Sequence, residues 1–146
     1  MFDLQLDHVG VQVTDLEQAA TLFEVALGYR RATLPVTNSL HGVRGMFMVK
    51  PGSIPIKLIT PTDPGGGPFR VGAHHLAFMV DDMDDAVTQL RSTGARLLKR
   101  PRPGEMFDGS LIAFLSVAGV NVELVTTRQW RDRLDTTPSG PPVDDE

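Results

Sequence analysis

Two histidines occupy equivalent positions in two similar stretches of this 146-residue chain. His8 lies in LDHVGVQVTDLEQAATLFEVALGYR (residues 6–30), and His75 lies in HHLAFMVDDMDDAVTQLRSTGAR (residues 74–96), an offset of 67 residues. A second pair of segments, IKLIT around Lys57 and VELVT around Glu123, has an offset of 66 residues. The sequence therefore predicts two copies of one module, which bring His8 close to His75 and Lys57 close to Glu123.

Three of these polar residues form a candidate metal site. Successive side chains of a strand point to opposite faces, and His8, His75 and Glu123 each alternate with apolar neighbours that suit packing against a helix. All three are therefore expected on one concave surface. Two imidazoles and a carboxylate suit a divalent ion such as iron, manganese, cobalt, nickel or zinc, with positions left open for water or substrate. The alternative is that each histidine only forms hydrogen bonds near a strand end.

The first module, residues 1–60, has the pattern βαβββ. A valine-rich strand over residues 6–13 leads to a helix, which we expect to begin with a capping box formed by Thr14 and Glu17 and to end at Gly28. Three strands are predicted to follow, roughly over residues 31–36, 42–49 and 54–60. Residues 61–72, rich in proline and glycine, form the predicted linker.

The second module, residues 73–127, repeats the pattern with a strand, a helix from about Asp82 that Gly94 closes, and three more strands. The sequence thus predicts an α+β fold of eight strands and two helices, with two tandem βαβββ modules whose curved mixed sheets form a shared cavity. His74 is predicted to face the helix or the strand edge and to be structural. The tail, residues 128–146, is too poor in apolar residues to predict a packed structure.

The overall composition excludes several functions. The chain has no cysteine, so thiolate chemistry and disulfides are absent. A formal charge of −4 and an aromatic content of 6% argue against a nucleic-acid partner. No apolar run approaches the roughly 20 residues of a membrane span. We expect a cytoplasmic protein that acts on a small molecule, with no membrane partner.

The paired modules resemble the vicinal oxygen chelate superfamily, which includes glyoxalase I, methylmalonyl-CoA epimerase, extradiol dioxygenases, fosfomycin-resistance enzymes and bleomycin-binding proteins. The wording is most similar to methylmalonyl-CoA epimerases, through DHVGVQVTDLEQA, HHLAFMVDD, GARLL, RPRPG and VNVELVT. The resemblance implies a homodimer with a divalent metal held by His8, His75 and Glu123.

The chain departs from the epimerase pattern at two positions. Lys57 stands where the resemblance implies a fourth ligand, glutamate or glutamine, and a protonated lysine has no lone pair to offer. Lys57 must therefore turn away, lose its proton or replace part of the metal's charge. The catalytic glutamate expected before a Gly-Val pair is also missing, with Leu40 or His41 in its place. We predict His41 as the catalytic base, with Glu105 as the second candidate, and we assign substrate contacts to Lys57, Gln12, Met79 and Asn121.

The resulting prediction is a metal-dependent glyoxalase-like enzyme. It would be an isomerase, epimerase or lyase that acts on a small carbonyl compound or thioester and stabilises an enolate or oxyanion. If Lys57 instead pairs with Glu123, the protein would be a metal-free binding protein that sequesters its ligand. A non-haem iron dioxygenase or a fosfomycin-modifying enzyme is the third possibility.

Overall fold

The computed structural model describes residues 4–39, 42–63, 70–103 and 110–126. Its strands are β1 (Gln5–Gln12), β2 (Arg30–Arg31), β3 (Val36–Asn38), β4 (Val43–Val49), β5 (Ile56–Pro61), β6 (Gly72–Met79), β7 (Arg96–Pro103), β8 (Leu111–Val117) and β9 (Val120–Val125). The helices are α1 (Leu16–Leu27) and α2 (Met83–Ser92). The α+β class and the curved mixed sheet are as predicted.

The described residues form nine strands rather than eight, because the stretch predicted as one strand over residues 31–36 is divided. Pro35 has no backbone N–H for a sheet ladder. Just before it, the Thr33 hydroxyl accepts a hydrogen bond from the backbone N–H of Phe47 at 3.0 Å, so a side chain replaces the backbone as the partner of β4. β2 and β3 are the two short pieces on either side, and both pair with β4.

The sheet has the strand order β2-β4-β5-β1-β6-β9-β8-β7, with β3 also paired to β4. β1 runs parallel to β5, and β6 runs parallel to β9 in the same way. The antiparallel pairing of β1 with β6 joins the two halves at the centre of the sheet, within one chain. The strands that carry the four residues of interest, His8, Lys57, His75 and Glu123, are therefore consecutive: β5, β1, β6 and β9.

Each helix covers the outer face of its own half of the sheet. Residues of α1 pack with Val13, Met46, Met48 and Leu58, and residues of α2 pack with Val80, Ala113, Leu115, Val122 and Leu124. A third apolar cluster joins strands of both halves: Ala32, Phe47, Val49, Ile112 and Val125. Leu58 and Leu124 therefore face the helices, and strand alternation sends Lys57 and Glu123 to the opposite, concave face.

The helix ends agree with the sequence in part. The expected Thr14 capping box is wrong, because Asp15 is the N-cap of α1 and accepts from the backbone N–H of Gln18 at 2.9 Å. Gly28 ends α1 in the left-handed conformation, as expected. Asp82 caps the start of α2, whereas its C-cap is Thr93 rather than Gly94. Within the described residues, neither helix has the length and apolar content needed to cross a membrane.

Candidate metal centre

His8, His75 and Glu123 meet at the centre of the concave face. The Nε2 atoms of His8 and His75 lie 3.2 and 3.1 Å from the same oxygen, Oε1 of Glu123. One ligand atom from each residue lies within 4.8 Å of the others. The residues are only 0%, 4% and 1% exposed, so the cluster is removed from bulk water. The three residues that the repeat singled out are thus brought together.

Two rows of residues across the sheet position these side chains. In the first row, His8 on β1 pairs with Ala77 on β6, which pairs with Glu123 on β9. In the second, His75 pairs with Gly10, which pairs with Lys57 on β5. Residues directly opposite one another on adjacent strands project from the same face. The small residue in the middle of each row leaves room for the large polar groups at its ends.

Gly10 is required for the position of the His75 ring. A Cβ atom built at Gly10 would lie 2.0 Å from Cε1 of His75 and 2.4 Å from both ring nitrogens. Even alanine at this position would therefore overlap the imidazole. Sequence reasoning placed Gly10 on the polar face of β1 but gave it no role, because the contact depends on how β1 and β6 pair.

A β-bulge precedes each metal-binding histidine. The β1–β6 register shifts between Leu6 and His8, which leaves Asp7 as the extra residue, and shifts again opposite His74. In the first bulge, His8 Nδ1 lies 2.8 Å from Asp7 Oδ2. In the second, His75 Nδ1 lies 2.8 Å from His74 Nδ1. Each histidine is thus held through the ring nitrogen that does not face Glu123.

The His74 bulge overturns the expectation that this side chain faces away from the site. Regular alternation would place His74 on the opposite face from His75, but an extra residue interrupts the alternation. His74 instead lies beside His75 and contributes to the cavity wall. The Nδ2 group of Asn121 donates to the His74 carbonyl at 3.3 Å and so ties the bulge to β9.

The donor set fits a divalent metal. Nε2 of His75 and both carboxylate oxygens of Glu123 are buried and make no hydrogen bond within the described chain. The 3.1 Å approach of His75 to Glu123 is therefore a close contact without hydrogen-bond geometry. Leaving a buried carboxylate without partners costs several kcal/mol, roughly, and a cation bound between these atoms would remove that cost.

The electrostatics favour the protonation states that bind metal. Burial raises the pKa of Glu123, but the Lys57 ammonium and the imidazoles of His75 and His8 lower it by more, so this pKa lies well below its ordinary value. Burial lowers the pKa of His75, against the opposing effect of Glu123, and His8 and Lys57 lower it further. Glu123 is therefore ionised and His75 neutral at physiological pH. These are the forms in which both act as ligands.

Lys57 lies in the site rather than turning away from it. The side chain is 3% exposed, lines the cavity, and places its Nζ 5.8 Å from the centre of the Phe47 ring. Its charge is among the causes that lower the pKa of Glu123. Of the roles open to Lys57, the structure thus leaves those in which it acts on the site itself. The residue that departs from the epimerase pattern supplies a fixed positive charge beside the carboxylate.

A cavity of about 220 Å³ opens next to the cluster. Besides His75 and Glu123, its polar wall residues are Asn38, Lys57, His74, Lys99 and Asn121. The rest of the wall is apolar and includes Ile112 and Phe114. Such a cavity suits a small ligand that has both an apolar part and an oxygen acceptor.

The comparisons with known proteins agree with this arrangement. Residues 7–114 match the family model of the Glyoxalase/Bleomycin resistance protein/Dioxygenase superfamily. The chain belongs to that superfamily. Among curated proteins, an ethylmalonyl-CoA/methylmalonyl-CoA epimerase of Cereibacter sphaeroides is 31% identical over 133 residues, which cover 86% of this chain and 97% of that protein.

Solved structures of the superfamily show the same relationship. A methylmalonyl-CoA epimerase from Mycobacterium tuberculosis is 32% identical, with a TM-score of 0.69 and coverage of 87% of this chain and 91% of that one. A variant of the Streptomyces coelicolor methylmalonyl-CoA epimerase, in complex with 2-nitronate-propionyl-CoA, is 29% identical, with a TM-score of 0.70 and coverage of 84% and 94%. Together with the His8, His75 and Glu123 cluster, these relatives support a metal-dependent, glyoxalase-like or epimerase-like enzyme in this superfamily.

The other sequence-predicted site residues have different placements. Lys57 and Asn121 line the cavity. Gln12 is buried on β1 and Met79 packs against the third apolar cluster, and neither is part of the cavity wall described above. His41 and Glu105 lie outside the described residues, so their roles as base candidates stay predictions.

Sequence reasoning gave no role to Asp7, Gly10 or Ala77, and it treated His74 as structural. One signal was available, because Asp7 and His74 precede the two equivalent histidines at the same offset of 67 residues.

Proposed function

We propose that this protein is a divalent-metal-dependent isomerase or epimerase, or a lyase, that acts on a small carbonyl compound or thioester. The observation that carries the proposal is the buried meeting of His8, His75 and Glu123 beside a cavity of about 220 Å³. The ethylmalonyl-CoA/methylmalonyl-CoA epimerase relative favours a short acyl thioester over a simple carbonyl compound.

The metal would be held by His8, His75 and Glu123. When bound, a divalent ion of this kind supplies a Lewis acid that stabilises negative charge on a substrate oxygen. Asp7 accepts from Nδ1 of His8, which fixes the ring with Nε2 directed to the site. The Lys57 ammonium lies in the same wall and would attract an anionic group of the substrate.

An epimerase must remove a proton from carbon and return one to the opposite face. His41 and Glu105 remain our candidates for these groups, because a neutral imidazole or a carboxylate accepts a proton near neutral pH. Two residues that flank His41 in sequence, Asn38 and Val43, both line the cavity. That placement supports His41 ahead of Glu105.

The first test is metal content. Untagged protein, purified without added metal, is analysed by inductively coupled plasma mass spectrometry, and the metal-free protein is titrated with zinc and cobalt. We expect about one ion per chain in wild type and loss of binding in His8→Ala and Glu123→Gln. Sub-stoichiometric metal that neither substitution reduces would reject the metal-dependent function.

The second test is exchange of solvent deuterium into methylmalonyl-CoA, followed by mass spectrometry. The metal-loaded protein should catalyse exchange at the carbon between the carboxylate and the thioester, and chelation should abolish it. His41→Ala should slow exchange at least tenfold if His41 is the base, and Glu105→Ala is the matched comparison. Equal rates for wild type and His41→Ala would reject His41.

The contribution of Lys57 to the lowered pKa of Glu123 favours a second candidate function, a metal-free ligand-binding protein. In that case the ammonium compensates the buried carboxylate and the cavity sequesters a ligand without reacting. The two functions are distinguished by chelation, which would leave ligand binding unchanged in the second. We also propose that the protein acts as a cytoplasmic homodimer, which light scattering of the purified protein tests for its oligomeric part.

A further inference from the structure

The contact between His74 and His75 restricts where hydrogens can lie on both rings. Their Nδ1 atoms are 2.8 Å apart, a hydrogen-bond distance between two nitrogens that each act as donor or acceptor. Only one hydrogen fits between them. One Nδ1 therefore donates and the other accepts, so the tautomer of one ring determines the tautomer of the other.

The metal site decides which ring donates. Nε2 of His75 is the nitrogen that lies 3.1 Å from Oε1 of Glu123, and a metal ligand must present a lone pair rather than a hydrogen at that atom. A neutral His75 with a lone pair on Nε2 carries its hydrogen on Nδ1 and donates it to His74. His74 then has a lone pair on Nδ1, and its own hydrogen lies on Nε2.

Resting on the proposed metal-dependent function, we propose that His74 is a positioning residue that holds His75 in its metal-binding tautomer. As a result, His74 itself presents a fixed N–H donor, Nε2–H, to the cavity. Because His74 is part of the cavity wall, the group that this donor selects is an acceptor oxygen, such as a carbonyl or carboxylate oxygen of the substrate.

The equivalent contact in the first module shows what is specific to His74. Asp7 occupies the same position before His8 and accepts from its Nδ1, but Asp7 is 1% exposed and a carboxylate has no hydrogen to offer. His74 fixes its neighbour in the same way and is only partly buried. The two copies of the module thus share the positioning role, and only the second adds a donor at the cavity.

The first experiment measures zinc affinity by competition with a chromophoric chelator. In His74→Asn, the side-chain Oδ1 can replace Nδ1 as the acceptor, whereas His74→Leu has no acceptor. We expect His74→Asn to bind zinc within about threefold of wild type and His74→Leu to bind roughly 10- to 100-fold more weakly, the usual effect of losing such a partner. Thr88→Leu, on the exposed side of α2, is the matched control and should leave the affinity unchanged.

The second experiment observes the tautomers directly in wild-type protein, so it does not depend on whether a variant folds. Long-range ¹⁵N–¹H spectra of the zinc-loaded, ¹⁵N-labelled protein should show His75 protonated at Nδ1 and His74 protonated at Nε2 only. A hydrogen on Nδ1 of His74 would overturn the inference. Zinc affinity in His74→Leu equal to that of wild type would overturn it as well.

The failure of this inference differs from the failure of the proposed function. If wild type binds one zinc ion per chain and His74→Leu binds it equally well, the metal site stands and the role of His74 is wrong. If wild type binds no zinc, both are wrong.

Discussion

Replacing Gly10 with alanine should disable the metal site through a single methyl group. The added Cβ would lie 2.0 Å from Cε1 of His75, whereas ordinary van der Waals contact begins at 3.4 Å. The ring must therefore retreat by about 1.4 Å, because the backbone of the two central strands is held by pairing on both sides. Metal–ligand distances tolerate only about 0.2 Å, so His75 would no longer act as a ligand.

The expected result is a loss of metal affinity that is large compared with the loss of stability. Overpacking of this kind costs roughly 1–3 kcal/mol of unfolding free energy. Loss of one of three protein ligands should weaken zinc binding by at least about 100-fold, more than the change of an outer partner. Affinity is measured by chelator competition, and stability is measured by urea unfolding of the metal-free protein.

Gly45→Ala is the matched control. Gly45 is also a sheet glycine, and its Cβ would lie 3.1 Å from Ile59 Cγ2 and from the Leu58 carbonyl, and 3.3 Å from Lys57 Cε. These contacts are tight but involve no metal ligand, so this variant should lose stability and keep its zinc. If Gly10→Ala folds and binds zinc as wild type does, His75 is not a ligand in the position described.

Three further predictions concern the charges around the site. Lys57→Gln replaces the ammonium with a neutral group that can coordinate, so zinc affinity should rise roughly tenfold in chelator competition; a fall would show that Lys57 supports metal binding. Asp7→Asn weakens the acceptor for His8 Nδ1 and should lower zinc affinity by at least about tenfold; isothermal titration giving an unchanged affinity would contradict the orienting role. Stability of the metal-free protein should fall as the pH drops from 7.5, since the pKa of His75 is lowered in the folded state and the unfolded chain takes up the proton near pH 6.5. Its slope in urea unfolding should reach at most about 1.4 kcal/mol per pH unit for this residue, with a further loss once the pH falls through the unfolded pKa of Glu123, whose folded pKa is also lowered. A flat profile between pH 7.5 and 5.5 would contradict a buried neutral His75.

The location of the site could be predicted from the sequence because duplication specifies it twice. The equivalent positions of His8 and His75 fix the two strands, and alternation within each strand fixes the face. Glu123 follows from the same offset. None of these steps requires knowledge of how the two halves pair.

The residues that support the site depend on that pairing and could not be predicted in the same way. Asp7 and His74 take their positions from β-bulges, which arise from the match between two strands rather than from either strand alone. Gly10 and Ala77 matter because each lies between two large side chains that come from distant parts of the chain. The Thr14 cap was wrong for a local reason, because the next residue, Asp15, is an equally good N-cap.

The two rows across the sheet explain how one fold gives different chemistry at a constant place. Each row carries a histidine at one end and a small residue in the middle, so the pairing of β1 with β6 sets both imidazoles regardless of what stands at the other end. The far ends are Glu123 and Lys57. With a neutral or acidic residue in place of Lys57, the same geometry would offer four ligands. With lysine it offers three ligands and one fixed cation, so substitution at this single row end should change what the cavity binds without moving the cavity.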